Sequence, residues 1–183
     1  STGLAGKIAM RTFKNYLRKY DLHSAENGDV FIANSKFVAE RIKRIYKRES
    51  EVVYPMVDYN FFSQGSYEKK DYYLLSGQLI SYKRPDLALK ACAKMGRKLV
   101  IAGTGGMEKE LRKIAGSNVT FLGRISREEL RKCYAEARAL IFPGIEDFGI
   151  VPLEAQSAGT PVIALGIGGA LDTVVPGKTG IFF

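Results

Sequence analysis

Residues 139–164 read Ala139-Leu-Ile-Phe-Pro-Gly-Ile-Glu-Asp-Phe-Gly-Ile-Val-Pro-Leu-Glu-Ala-Gln-Ser-Ala-Gly-Thr-Pro-Val-Ile-Ala164. Two short runs, Ala139–Phe142 and Pro161–Ala164, are apolar at every position or nearly so, without the alternation of a half-exposed strand. Such runs suit strands buried on both faces, and hence a parallel sheet covered by helices. Between them Val151–Ala158 reads as a helix, with Pro152 in its first turn, where proline is tolerated. The segment is a strand–helix–strand unit, the repeating element of a doubly wound fold.

The same alternation runs through the rest of the chain after Ser66. Strands are expected at Tyr72–Ser76, Lys98–Ala102, Val119–Leu122 and near Gly180–Phe183. Helices are expected at Pro85–Met95, Met107–Ala115, Arg127–Arg138 and Gly169–Val174. Ser126 and Glu129 have capping-box spacing. Upstream, Leu4–Tyr20 has helical periodicity. Ala9, Phe13, Tyr16, Leu17 and Tyr20 share one face, and Lys7, Arg11, Lys14 and Arg18 share another. His23–Asp29 reads as a polar loop, and residues 29–33 as a strand. Asn34-Ser35 caps a second basic helix, Lys36–Arg48. Glu51–Tyr54 is a further strand and Pro55–Asp58 a linker.

The chain has 183 residues, 46% hydrophobic and 26% charged. This is globular composition and excludes a disordered or collagenous chain. Cys92 and Cys133 fall in helical, apolar surroundings, which predicts free thiols in a reducing compartment. No run reaches the length of a membrane span and no signal peptide opens the chain. A soluble, cytoplasmic protein is expected. The start at Ser1 and the stop at Phe183 on a strand suggest a fragment. Of the net charge of +9, residues 1–50 carry +6. A basic balance favours anionic partners, among them nucleic acid, anionic lipid and phosphorylated ligands.

A doubly wound sheet binds ligands beyond the carboxyl ends of its strands. The loops expected there are Gly77–Arg84, Gly103–Gly106, Gly123–Ser126, Pro143–Ile150 and Leu165–Gly169, nearly all rich in glycine. Neither Gly103/Gly105, followed by Glu108, nor Gly166/Gly168, followed by Leu171, completes GxGxxG. A GxxxxGK[ST] loop is also lacking, which argues against an NTP-hydrolysing P-loop. The amides of Phe148, Gly149, Ile150 and Val151 open a helix and, with its dipole, form an anion site. Gly149 allows close backbone approach. Glu154 is suited to accept hydrogen bonds from a vicinal diol such as a ribose, and Glu146 to hold a hydroxyl group of a second sugar. Both glutamates also suit a helix N-terminus for its own sake. Lys83 and Arg84 can place positive charge on a diphosphate or form an ordinary solvated pair. Arg124 either stacks on a base or faces solvent. His23, the only histidine, reads as a surface residue. With no DxD or HxE pattern, no metal site is expected.

The string Glu146-Asp-Phe-Gly-Ile-Val-Pro-Leu-Glu154-Ala, continued by Ala158-Gly-Thr-Pro-Val-Ile-Ala164, resembles the Glu-x7-Glu motif of retaining GT-B glycosyltransferases of family 4. Gly166–Ala170 with Val175–Gly180, Phe121–Ser126 and Ile32–Ser35 are similar to other family segments. The likeness covers about residues 29–183 and is strongest to mannosyltransferases of O-antigen and related cell-envelope glycan assembly. It implies an α/β fold: the doubly wound, Rossmann-like C-terminal domain of a GT-B enzyme over 61–183, truncated at its end. Residues 1–60 would be the tail of the N-terminal, acceptor-side domain and the linker.

The implied activity is transfer, with retention, of a sugar from a nucleotide-diphosphate donor to a cell-envelope glycan or lipid-linked acceptor. GDP-mannose is the first candidate donor, another NDP-sugar the next; no metal or other cofactor is implied. Carried over by position, Glu154 would bind the ribose, and Glu146, the catalytic candidate, the donor sugar. Phe148, Gly149, Ile150 and Val151 would hold sugar and diphosphate through their amides, Lys83 the diphosphate, and Arg124 and Ile125 would lie by the base. Arg84 and Gly105 complete the expected donor-binding set. The family usually has Gly-Arg where this chain has Gly77-Gln78, so Arg84 is expected to compensate. The chain by itself is expected to be inactive. Residues 4–20 are expected to touch anionic membrane peripherally, at the inner face of the plasma membrane. Two other readings are a basic nucleic-acid-binding module, for which no recognised module or aromatic platform is present, and a GT-B-like sugar-nucleotide epimerase, which would need further acid/base residues.

Overall fold

A computed structural model describes residues 4–183, with side chains from residue 13 onward. Six parallel strands form the main sheet: β3 (Tyr73–Ser76), β4 (Leu99–Ala102), β5 (Val119–Gly123), β6 (Ala139–Phe142), β7 (Val162–Ala164) and β8 (Gly180–Phe182). Their spatial order is β5-β4-β3-β6-β7-β8. The chain therefore winds outward from β3 to β5, returns to the centre at β6, and winds outward the other way. Tyr73 is in register with Leu99 on one side and Ala139 on the other. The loops leaving β3 and β6 turn toward opposite sides, so a crevice opens between them at the switch point.

The uninterrupted apolar runs are explained by helices on both faces. Successive side chains of a strand point to opposite faces. Leu74, Leu140, Phe142 and Val162 enter one core with Tyr134 and Ala155. Their neighbours Leu75, Ile141 and Ile101 enter the other with Leu89 and Leu111. The first core lies under α6 (Arg127–Glu136) and α7 (Ile150–Ser157), the second under α4 (Pro85–Lys94) and α5 (Glu108–Ile114). Ser126 and Glu129 make the expected capping box, with both reciprocal bonds present.

Upstream lie α1 (Leu4–Glu26), β1 (Ile32–Ala33), α2 (Lys36–Tyr46) and β2 (Glu51–Val52). β1 and β2 form a separate parallel pair. Ser35 caps α2, its Oγ accepting from the Val38 N–H at 3.0 Å. Helix α1 continues through His23, where a loop was expected. The polar residues Asp21, His23 and Glu26 are compatible with a solvated helix, and His23 is exposed and 3.1 Å from Glu26. The basic face expected over 4–20 lies partly outside the described side chains. Among those described, Phe13, Tyr16 and Tyr20 are exposed.

One helix was not anticipated. α3 (Tyr59–Phe62) follows the linker, with Asp58 at its N-cap accepting from the Phe61 N–H at 3.1 Å. Phe62 is buried in the first core, edge-on to Tyr134. An Asp ahead of Tyr-Asn-Phe-Phe was the available signal. A final short helix, α8 (Ala170–Thr173), precedes β8.

Candidate functional site

The glycine-rich loops at the carboxyl ends of the strands stack on one another. A Cβ on Gly103 would lie 1.9 Å from the Gly77 carbonyl oxygen, and one on Gly144 would lie 2.6 Å from Lys83 Cα. A Cβ on Gly169 would lie 2.2 Å from Phe148 Cα, and the Gly169 N–H donates to the Glu146 carbonyl at 2.8 Å. Glycine is required here chiefly so that neighbouring loops can touch, which locks the 143–149 loop between the β3 loop and the β7 loop. Gly105, expected among the donor-binding residues, belongs to the same packing: its Cβ would meet the Leu79 backbone at 2.5 Å.

Gly149, with φ +89°, turns the chain into α7. The first N–H groups of a helix have no partner within it. Pro152, at the third helical position, has no N–H. The amides of Gly149, Ile150 and Val151 therefore form the donor set at this end. It opens on a cavity of about 620 Å³ lined by Ile145–Val151 on one side and by Asn34, Pro55 and Tyr82 on the other. Asn34 follows β1 and Pro55 follows β2, so the carboxyl ends of both sheets face the same space.

Two carboxylates flank this helix end. Glu146 pairs with Lys83, Oε1 to Nζ at 2.9 Å, each about one-fifth exposed. Gln78, Lys83 and Glu146 line a small adjoining recess with Ser76 and Gly144. Glu154, one turn into α7, is half-buried. Burial pushes its carboxyl up, while the Tyr134 hydroxyl and the Arg127 charge oppose this. The Tyr134 hydroxyl is 2.9 Å from Glu154 Oε2.

The structure thus places Glu146, Phe148, Gly149, Ile150 and Val151 in the cavity wall, with Lys83 beside them through its pair with Glu146; Glu154, one turn further along α7, does not line the cavity. Arg84 departs from expectation. Its guanidinium grips Asp86, with Nε to Oδ1 at 3.0 Å and Nη2 to Oδ2 at 3.2 Å, and it does not line the cavity. Asp86, in the first turn of α4, holds the Arg84 guanidinium at the start of that helix and away from Gln78 and the cavity wall. Arg124 is exposed at the end of β5. Ile125 is partly buried against the first core. Neither lines the cavity.

Several site residues carried no signal in the sequence. The Tyr54 ring stacks on Phe148, with centroids 5.6 Å apart. Arg41 on α2 pairs with Asp147 at 2.7 Å. Asp172 on α8 accepts from the Lys36 N–H at 2.8 Å and from the Tyr54 hydroxyl at 3.1 Å. These contacts join the upstream unit to the rim of the main sheet. They pair residues more than ninety positions apart, beyond the reach of any local pattern. Among the described residues no group of three or more His, Cys, Asp or Glu is placed to hold a metal ion, and no helix is long and apolar enough to cross a membrane.

The family model described as glycosyl transferases group 1 matches residues 57–183. The D-inositol 3-phosphate glycosyltransferase of Mycobacterium sp. (strain JLS) is 31% identical over 180 residues, covering 85% of this chain and 41% of that protein. A relative with the same name from Mycolicibacterium paratuberculosis is 32% identical over the same shares. Among solved structures, sucrose-phosphate synthase from Thermosynechococcus elongatus superposes with a TM-score of 0.76 at 25% identity, over 90% of this chain and 47% of that one. The Anabaena protein Alr3699/HepE in complex with UDP-glucose gives 0.77 at 19%, over 94% and 55%. The chain spans about two-fifths of the length of these curated relatives. The sheet order, the loop chemistry and the match over 57–183 agree: the chain belongs to the group 1 glycosyl transferases, and its main sheet is the Rossmann-like C-terminal domain of a GT-B fold.

Proposed function

We propose that this chain is the donor-binding part of a retaining glycosyltransferase of family 4, which moves a sugar from a nucleoside-diphosphate donor to a cell-envelope glycan or lipid-linked acceptor. The observation that carries the reading is the helix N-terminus at Gly149–Val151. It opens at the switch point into a cavity with Glu146 and Lys83 at its edge and with residues of both units on its walls.

In this reading the three amides and Lys83 hold the diphosphate, Glu146 receives hydroxyl groups of the donor sugar, and Glu154 receives the ribose diol. Charge on the phosphates is met by fixed dipoles and one ammonium, so the diphosphate is held without a metal ion. With Arg84 on Asp86 and Gln78 neutral, Lys83 is the cation nearest Glu146. Arg124 and Ile125, outside the cavity lining, would reach the donor only through its base.

GDP-mannose is the donor to test first, on the resemblance of the Glu-x7-Glu segment. The names of the relatives add uridine donors and a phosphorylated inositol acceptor to the same panel. The exposed aromatic residues of α1, beside Lys14 and Arg18, support peripheral contact with anionic lipid. Vesicle sedimentation with and without anionic lipid tests that contact, and pelleting independent of lipid charge would remove it. Calorimetric titration with nucleotide sugars tests the main reading. Donor affinity should depend on base and sugar and be lost in Glu154→Ala; steep salt dependence with indifference to the base would favour nucleic acid instead.

A further inference from the structure

Tyr134 on α6 is fully buried in the first core, edge-on to Phe62. Its hydroxyl is 2.9 Å from Glu154 Oε2 and 3.2 Å from Ser76 Oγ, at the end of β3. A phenol has one proton to give. The carboxylate is the stronger acceptor, so the phenol donates to Glu154 and the serine hydroxyl donates to the phenol oxygen. A phenylalanine would fill the same space without a polar atom to satisfy in the core. The buried hydroxyl is placed where it serves the carboxylate.

A glutamate on a helix has three side-chain torsions. The bond from Tyr134 fixes one oxygen and with it the plane of the carboxyl group. Oε1 and the remaining lone pairs of Oε2 are left to accept from a ligand. The other charged group that bears on Glu154 is Arg127, also on α6 and itself paired with Asp58 at 2.7 Å. Arg127 acts through its field and Tyr134 by contact.

We propose that Tyr134 is a positioning residue: its hydroxyl, oriented by Ser76, holds the Glu154 carboxylate in the one orientation that accepts both hydroxyl groups of the donor ribose. This rests on the donor-binding reading of the site. Specificity for a ribonucleotide is then built partly inside the core, behind the residue that touches the ligand.

The test is calorimetric titration of the intact chain with GDP and UDP and with their 2′,3′-dideoxy counterparts. In Tyr134→Phe the ribonucleotides should bind about tenfold more weakly, the equivalent of one hydrogen bond to a charged group. The dideoxy forms, which have no diol to present, should bind as they do to the parent. Ser76→Ala, a milder change, should show the same discrimination at about threefold. The pH profile gives a second readout. The phenol favours the ionised carboxyl, so its removal should move the acid-side loss of ribonucleotide affinity to higher pH.

Parent-like ribonucleotide affinity in both variants would overturn the proposal, as would equal weakening of the ribo and dideoxy forms. Glu154→Ala separates the two readings. If it weakens ribonucleotides while Tyr134→Phe and Ser76→Ala do not, positioning fails and the donor site stands. If it too binds like the parent, the donor-site assignment falls, and the positioning role with it.

Discussion

Lys83 and Glu146 lie 2.9 Å apart although 63 residues separate them in sequence, and each leaves from one of the two loops that diverge at the switch point of the sheet. The pair joins the β3 loop to the β6 loop directly beside the N-terminus of α7. Each partner is also suited to a different part of an activated sugar, the ammonium to phosphate and the carboxylate to hydroxyl groups.

Replacing Lys83 with methionine should weaken nucleoside diphosphates about tenfold and leave nucleoside monophosphates nearly unaffected, because one charge-assisted contact to the distal phosphate is removed. Calorimetry with GDP against GMP, and UDP against UMP, reads this difference directly. Equal loss for mono- and diphosphates would place Lys83 elsewhere on the ligand.

Glycine substitutions separate steric packing from backbone conformation. Gly169 has φ −64°, an ordinary value, but its added Cβ would meet Phe148 backbone. Gly159 has φ +73° and open space around it. Gly159→Ala should cost about 1–2 kcal/mol of stability, the penalty of the left-handed region, and leave nucleotide affinity intact. Gly169→Ala should cost about 1–3 kcal/mol by overpacking and should also weaken donor binding, since relief of the clash displaces the 143–149 loop. Urea unfolding together with titration checks both.

The contrast between these glycines shows what was legible in the sequence. Strand runs such as Ala139–Phe142 declared themselves because burial on both faces removes polar residues, and the sheet followed from them. The Gly149 turn was legible because a helix start asks for few residue types, and Glu146 and Lys83 stood out as charged groups in loops at strand ends. Gly103, Gly105 and Gly169 were visible as glycines, but whether they serve a ligand or a neighbouring loop is a matter of loops meeting in space. Arg84 misled because adjacency to Lys83 says nothing of direction, and Asp86, two residues on, captures it. Tyr134 and Asp172 were silent, since an aromatic on a helix face and an acid in a first turn are what any helix shows.

Asp172 provides a test of how the upstream unit is held. Its side chain is 5% exposed, and it accepts from the Lys36 N–H at the start of α2 and from the Tyr54 hydroxyl. The helix dipole of α2 adds to the first of these. Asp172→Ala should cost about 2–4 kcal/mol, since two donors lose a charged acceptor. Tyr54→Phe, which keeps the ring stacked on Phe148, should cost about 1 kcal/mol. Thermal unfolding monitored by circular dichroism measures both, and an Asp172→Ala midpoint equal to the parent's would show that the contact does not hold the units together.

Burial raises the carboxyl pKa of Glu154 in the folded state above the unfolded value. The folded protein therefore binds this proton more tightly than the unfolded chain does, and stability contributed here falls as pH rises from the unfolded pKa through the folded one. Asp58, Asp71, Asp86 and Glu129 act in the opposite sense, each held low by hydrogen bonds, from Arg127, Arg138 and Arg84 for the three aspartates and from Ser126 for Glu129. The stability of the parent alone thus mixes the two signs, and comparison with Glu154→Gln isolates one. Glutamine keeps the shape and an acceptor for Tyr134 but cannot ionise. Urea midpoints of the two proteins should lie close at pH 4 and diverge by pH 8, with Glu154→Gln the more stable and unable to bind the donor with full affinity. A stability gap that does not change between those pH values would mean that the carboxylate is not strained by burial. Its retention at this position would then need no compensating gain in ligand binding.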